Sequence, residues 1–149
     1  MTYNDLRKGR FSQPGYVYHI TTTTRNRAPY FASFWNGRKV AHELIALQNE
    51  GWAQTLCYVL MPDHLHWLMR LQQGTLSAAV KMLKGRVSRA IGQAIWQAGY
   101  YDHAVRQDED LRKMARYIVA NPLRAGLVER IGDYSLWDAI WLDDALENV

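Results

Sequence analysis

The stretch Trp52–Leu71 constrains the fold more than any other: two strand-like runs, Trp52 to Leu60 and His64 to Leu71, are interrupted only by Pro62-Asp63. Proline cannot donate to a sheet ladder, and Asp favours turns, so the pair predicts a tight hairpin between antiparallel strands. Side chains on a strand alternate between faces. His64 and His66 therefore share one face, while Leu65 and Trp67 point to the other.

The flanking chain supplies what such a hairpin packs against. Gly15 to Thr24 alternates and is rich in aromatic and β-branched residues, which predicts a first strand. A helix is expected from Asn36 to a stop at Gly51, with Val40, Leu44 and Leu47 at helical spacing. Thr75 to Ala94 is the clearest helix: Val80, Leu83, Val87 and Ile91 form one stripe, and Lys81, Lys84, Arg86 and Arg89 lie off it. A short fourth strand is expected at Ala104 to Arg106. A helix then starts at the acidic run Asp108-Glu109-Asp110, which suits a helix N-terminus, and stops or kinks at Pro122.

The order strand, helix, strand, strand, helix, strand is the split β-α-β arrangement. The fold class predicted is thus α+β, a ferredoxin-like sandwich with an antiparallel sheet and helices on one face, followed by a C-terminal helix. At 149 residues the chain fits one domain, 1–149, with a basic lead-in (1–14, including Arg7, Lys8 and Arg10) and an acidic tail (about 133–149).

Charge is unevenly laid out. The net +4 conceals 17 basic and 8 acidic residues up to Val128, against 1 and 6 beyond it. A basic body with six Trp and nine Tyr suits nucleic acid, offering cations for phosphates and rings for unstacked bases. The single Cys57 rules out an internal disulfide and any multi-cysteine zinc site. With neither a signal-like start nor a long apolar run, the expectation is a soluble cytoplasmic protein without a membrane partner.

Two imidazoles on one strand face make half a metal site. No further ligand follows from spacing there. On the last helix, Tyr117 and Asn121 lie one turn apart and present a phenol and an amide together; Asn121 also reads as a helix C-cap ahead of Pro122. His103 reads as a structural hydrogen bonder or a neighbour of the site. His19 and His42 carry no functional signal of their own.

Met61-Pro62-Asp63-His64-Leu65-His66, Trp96-Gln97-x-Gly99-Tyr100-Tyr101-Asp102-His103 and Tyr117-Ile118-x-x-Asn121-Pro122-Leu123-Arg124-Ala125-Gly126-Leu127-Val128, in that order, resemble the single-tyrosine HUH transposases of the IS200 type. More narrowly, they look like the REP-associated tyrosine transposases of bacteria. Asp63 stands where that family more usually has Asn, beside the ligands. The resemblance implies that His64, His66 and Asn121 bind a divalent metal, Mg²⁺ or Mn²⁺, and that Tyr117 is the nucleophile. It implies cleavage of single-stranded or hairpin DNA bearing palindromic repeats through a 5′-phosphotyrosine, by a monomer or homodimer at the bacterial nucleoid. A phenol ionises near pH ~10, so such a nucleophile needs a metal or cation beside it. In that context Lys81, Lys84, Arg86, Arg89, Arg25 and Arg27 are the expected DNA contacts, with Asp63 and His103 near the ligands. Two other readings stay open: a hairpin-binding protein without turnover, and a metal-dependent phosphodiesterase that uses water.

Overall fold

The computed structural model describes residues 12–106 and 110–139. The N-terminal basic residues Arg7, Lys8 and Arg10, the acidic pair Asp108-Glu109 and the tail beyond Ala139 lie outside the described residues.

Five strands form one antiparallel sheet: β1 (Val17–Thr23), β2 (Ala53–Met61), β3 (His64–Leu71), β4 (Tyr101–Val105) and β5 (Trp137–Ala139), in the order β4-β1-β3-β2-β5. The first four follow the ferredoxin-like order expected, and β5, from the acidic tail, adds an edge strand beside β2 that its composition did not announce. The β2–β3 hairpin closes as Met61 pairs with His64, leaving Pro62-Asp63 as the two-residue turn.

Three helices of two turns or more cover the sheet: α1 (Phe34–Asn49), α2 (Leu76–Ile91) and α3 (Leu111–Val119). Ser33 caps α1, Thr75 caps α2, and the Asp110 carboxylate caps α3 by accepting from the amides of Arg112 and Lys113. Gly92 ends α2 in the left-handed conformation, φ 96°, two residues before the expected end. α3 ends at Val119, just ahead of Pro122, as expected of a stop or kink there, but the helical path resumes at once. Pro122 falls in the first turn of a second short helix, α4 (Asn121–Arg124), where its missing N–H costs nothing.

Alternation splits the core into two layers. Tyr18, Ile20, Leu65, Trp67, Met69 and Leu71 face α1 and α2, and Trp67 donates its indole N–H to Thr55 at 2.9 Å. Val17, Val59, Met61 and Leu68 point the other way, with Leu56 and Cys57, against Ala115, Ile118 and Val119 of α3. A bulge between Thr55 and Cys57 makes this possible: one extra residue resets the phase of β2, so both Leu56 and Cys57 reach the α3 side. Burial pushes the Cys57 thiol up to about 12, as suits a core residue.

The tail segment is tied in as well. A Cβ on Gly37 would meet the Leu136 side chain at 2.8 Å, so α1 approaches this segment as only glycine allows. Tyr134 donates its hydroxyl to the Leu60 carbonyl. Among the described residues, no helix is long and apolar enough to cross a membrane.

Candidate functional site

His64 and His66 lie on the α3 face of the sheet, with Leu68 continuing their row into the core beneath that helix. Their rings stand 4.9 Å apart between centroids, nearly perpendicular at 80°. Each imidazole is held through Nδ1. His64 Nδ1–H donates to Asp63 Oδ1 at 2.7 Å, and His66 Nδ1 lies 3.1 Å from His19 Nε2 and 3.3 Å from Thr21 Oγ1. The contacts through Nδ1 leave each ring's Nε2 as its other donor atom. A ring whose Nδ1 is fixed by a carboxylate or a second acceptor is oriented, and its tautomer set, as metal-bound histidines need.

Asp63 does not act alone. Arg27 donates to its second oxygen at 3.1 Å, so the carboxylate bridges a guanidinium and an imidazole. Burial opposes its charge, yet the hydrogen bonds from His64 and Arg27 hold the carboxyl below its usual value. Arg27 gets there through an uncommon turn. Asn26 and Arg27 both take positive φ, 55° and 52°, and Thr24 ties the turn to the hairpin by donating to the Asp63 carbonyl through both its amide and its hydroxyl.

β1 contributes a residue that single-residue reasoning passed over. Thr21 pairs with His66 and His19 with Leu68 across β1 and β3, while His103 on β4 pairs with His19. Imidazoles from three strands therefore run across one face. Burial, together with the charge of His103, pushes His19 down to about 4; burial, with His64, His19 and Arg124, pushes His66 down to about 3. Both are neutral near pH 7, with lone pairs available. The signal for His19 was its spacing: His19-x-Thr21 has the same period as His64-x-His66, and its meaning appears only once β1 is known to lie beside β3.

Tyr117 is 66 % exposed on α3, and Arg124 of α4 lies over its ring with the guanidinium carbon 3.9 Å from the centroid. Arg124 is also among the charges that act, weakly, on His66. Asn121 is not the C-cap of α3, a position held by Ala120, but the first residue of α4; its side-chain amide donates to the Ile118 carbonyl at 2.6 Å, which leaves Oδ1 as its acceptor atom. Among the described residues no three His, Cys, Asp and Glu side chains are arranged to hold a metal. The Asn121 amide offers a neutral oxygen, a hard donor of a different kind. Two imidazoles and an amide oxygen are donor types that suit a divalent cation.

The expected DNA contacts divide. Arg25 and Arg27 are exposed at the hairpin end of β1, beside Asp63. The α2 cations lie in the opposite layer from the histidines. There Arg86 pairs with Glu50 through two hydrogen bonds of 2.6 and 2.8 Å, and Lys84 donates to the carbonyls of Gln97 and Gly99 at 2.8 Å each. Lys81 and Arg89 are exposed.

An antiparallel sheet that presents paired imidazoles beneath a helix bearing an exposed tyrosine and an amide one turn on defines a class, the single-tyrosine transposases. The model of the family described as "Transposase IS200 like" matches residues 12–121, and the chain belongs to that family. It is similar to the REP-associated tyrosine transposase of Escherichia coli (strain K12), 26% identical over 128 residues that make up 84% of this chain and 77% of that protein. It is also similar to a putative REP-associated tyrosine transposase of Haemophilus influenzae, 29% identical over 98 residues, 54% of this chain and 56% of that one. Among solved structures it resembles a REP-associated tyrosine transposase bound to a REP hairpin, with a TM-score of 0.75 at 25% identity, covering 86% of this chain and 79% of that one. A putative transposase from Deinococcus radiodurans shares the fold, with a TM-score of 0.51 at 21% identity over 80% of this chain and 91% of that one.

Proposed function

We propose that this chain cuts and rejoins single-stranded DNA at hairpin-forming repeats, with Tyr117 as the nucleophile. The observation that carries the reading is the pair of imidazoles on one sheet face, each fixed through Nδ1, on the side of the sheet covered by the helix that bears the exposed Tyr117 with Arg124 over its ring. A relative of similar fold was solved with a REP hairpin, which supports the substrate class.

In this reading the Tyr117 Oη forms a bond to phosphorus as the P–O3′ bond breaks. The phenolic proton is lost to solvent, and the departing 3′-oxygen is protonated to a hydroxyl. The segment on the 3′ side of the break stays on the enzyme through its 5′-phosphate, as a phosphotyrosine, until another 3′-hydroxyl attacks, and no ATP is consumed because one phosphoester replaces another. His64, His66 and the Asn121 oxygen would hold Mg²⁺ or Mn²⁺, which supplies Lewis-acid stabilisation of charge on the phosphodiester oxygens. His19, Thr21, Asp63 and Arg27 keep the two imidazoles aimed. Arg25 and Arg27 meet backbone phosphates at the hairpin end of the sheet, and Lys81 and Arg89 are cations for a more distant part of the DNA. Such a protein works in the bacterial cytoplasm, where its DNA is.

The test is to incubate the protein with hairpin DNA carrying single-stranded flanks, labelled at either end, with Mg²⁺ or Mn²⁺. A denaturation-resistant protein–DNA adduct is expected, lost in Tyr117→Phe, with cleavage lost in His64→Ala. Cleavage that survives Tyr117→Phe would assign the reaction to water instead, and binding without cleavage by the wild type would leave a hairpin-binding protein.

A further inference from the structure

We propose that Arg124 is a clamp for the scissile phosphate, carried on the face of the nucleophile itself. The inference rests on the functional reading of Tyr117 above and adds a substrate-contacting residue to it. Arg124 lies three residues beyond the segment that matches the family model, and although it falls within the motif that carries the resemblance, that resemblance gives it no role.

Its position follows from the chain's local geometry. Tyr117, Asn121 and Arg124 stand at intervals of four and three, the spacing that puts side chains on one helical stripe. The stripe survives the end of α3 because Ala120 keeps helical backbone angles, φ −79° and ψ −1°, and α4 carries on with Pro122 in its first turn. The guanidinium is thereby delivered over the phenol, 3.9 Å from its centre.

That placement leaves the guanidinium chemically unspent. Stacking uses its flat surface, whereas its five N–H donors are made for a forked partner such as phosphate. None of them has a hydrogen-bond acceptor among the described residues, and Arg124 is exposed. Three of the other cations described above are engaged: Arg27 is paired with Asp63, Arg86 with Glu50, and Lys84 with two carbonyls. A phosphodiester placed for attack by the phenol oxygen lies at the edge of the same ring, within reach of donors projecting past it. The clamp would hold the anionic phosphate in place and offset the charge that builds on its oxygens during attack.

Binding to two DNAs separates this role from a structural one. The linkage at which the wild-type chain forms its adduct is mapped on the hairpin substrate. That strand is then made with its ordinary phosphate and with a neutral methylphosphonate at that one position. Dissociation constants are measured for Tyr117→Phe and for Tyr117→Phe with Arg124→Ala, so that no turnover intervenes. With the ordinary strand the added substitution is expected to weaken binding by on the order of tenfold, the scale of a charge-assisted hydrogen bond. With the methylphosphonate strand it is expected to have no effect. Arg124→Lys should recover only part of the loss, because an ammonium keeps the charge without the fork. Equal weakening on both strands, or none on either, overturns the proposal while leaving the tyrosine chemistry standing. Failure of the wild type to form any adduct removes the tyrosine reading and this one with it.

Discussion

The two faces of the sheet are built from the same strands and bear opposite loads. Toward α1 and α2, β3 presents Leu65, Trp67, Met69 and Leu71, each completely buried. Toward α3 it presents His64 and His66, both half-buried, before Leu68 enters the second core. One face holds the protein together, and that rigidity lets the other carry polar groups in fixed positions. A strand accomplishes this by alternation alone, so a single residue step separates a stabilising side chain from a chemical one.

The largest expected effect tests that division. Trp67→Ala removes a fully buried indole and leaves the Thr55 hydroxyl without its donor, for a cost of about 3–5 kcal/mol, a large part of a small domain's stability. Its neighbour His66→Ala should cost on the order of 1 kcal/mol in the same chemical denaturation and abolish adduct formation. Comparable stability losses from the two would show that the site face is as much core as the other.

The next effect concerns how the site face is held. Asp63→Ala removes the carboxylate that fixes His64 and should lower Mn²⁺ affinity by about 10–100-fold, read by titration without DNA. Asp63→Asn keeps an acceptor for His64 and should fall between that variant and the wild type. His19→Ala should do less than Asp63→Ala, because Thr21 remains beside His66 Nδ1. An Asp63→Ala protein with wild-type Mn²⁺ affinity would separate the carboxylate from metal binding altogether.

Much of this face was legible before any coordinates. Pro62-Asp63 marked the hairpin, β3 runs from His64 to Leu71 as its alternation predicts, and the shared face of the two histidines follows from a period of two. What could not be read was whatever depends on neighbours distant in sequence. His19 became a partner of His66 only through the pairing of β1 with β3, which no local pattern specifies. β4 starts at Tyr101 rather than Ala104 because it pairs with β1 from Thr21 onward, and β5 is three residues whose strand character comes from β2 rather than from their own composition. Pro122 was read as a stop or a kink, and α3 does end at Val119; what the local pattern did not show is that Pro122, in the first turn of α4, lets a new helical segment carry the path on to Arg124.

The smallest expected effect lies on the helix whose charges looked most like a DNA surface. Arg86 and Lys84 have the composition of phosphate contacts, yet on the face away from the histidines Arg86 grips the Glu50 carboxylate at the end of α1, and Lys84 holds the loop that leads to β4. The Arg86 and Glu50 side chains remain 25 % and 45 % exposed, so water and salt screen the pair and its contribution to stability is small. Arg86→Ala should therefore lower the melting temperature by no more than about a few degrees. Its more informative readout is salt dependence. Removing a cation that neutralises a DNA phosphate reduces the slope of log affinity against log salt by about one, and Arg86→Ala is expected to leave that slope unchanged. A slope lower by about one would mean that DNA competes Arg86 away from Glu50. The α2 face would then join the interface, and the division of labour between the two faces would hold only in the free protein.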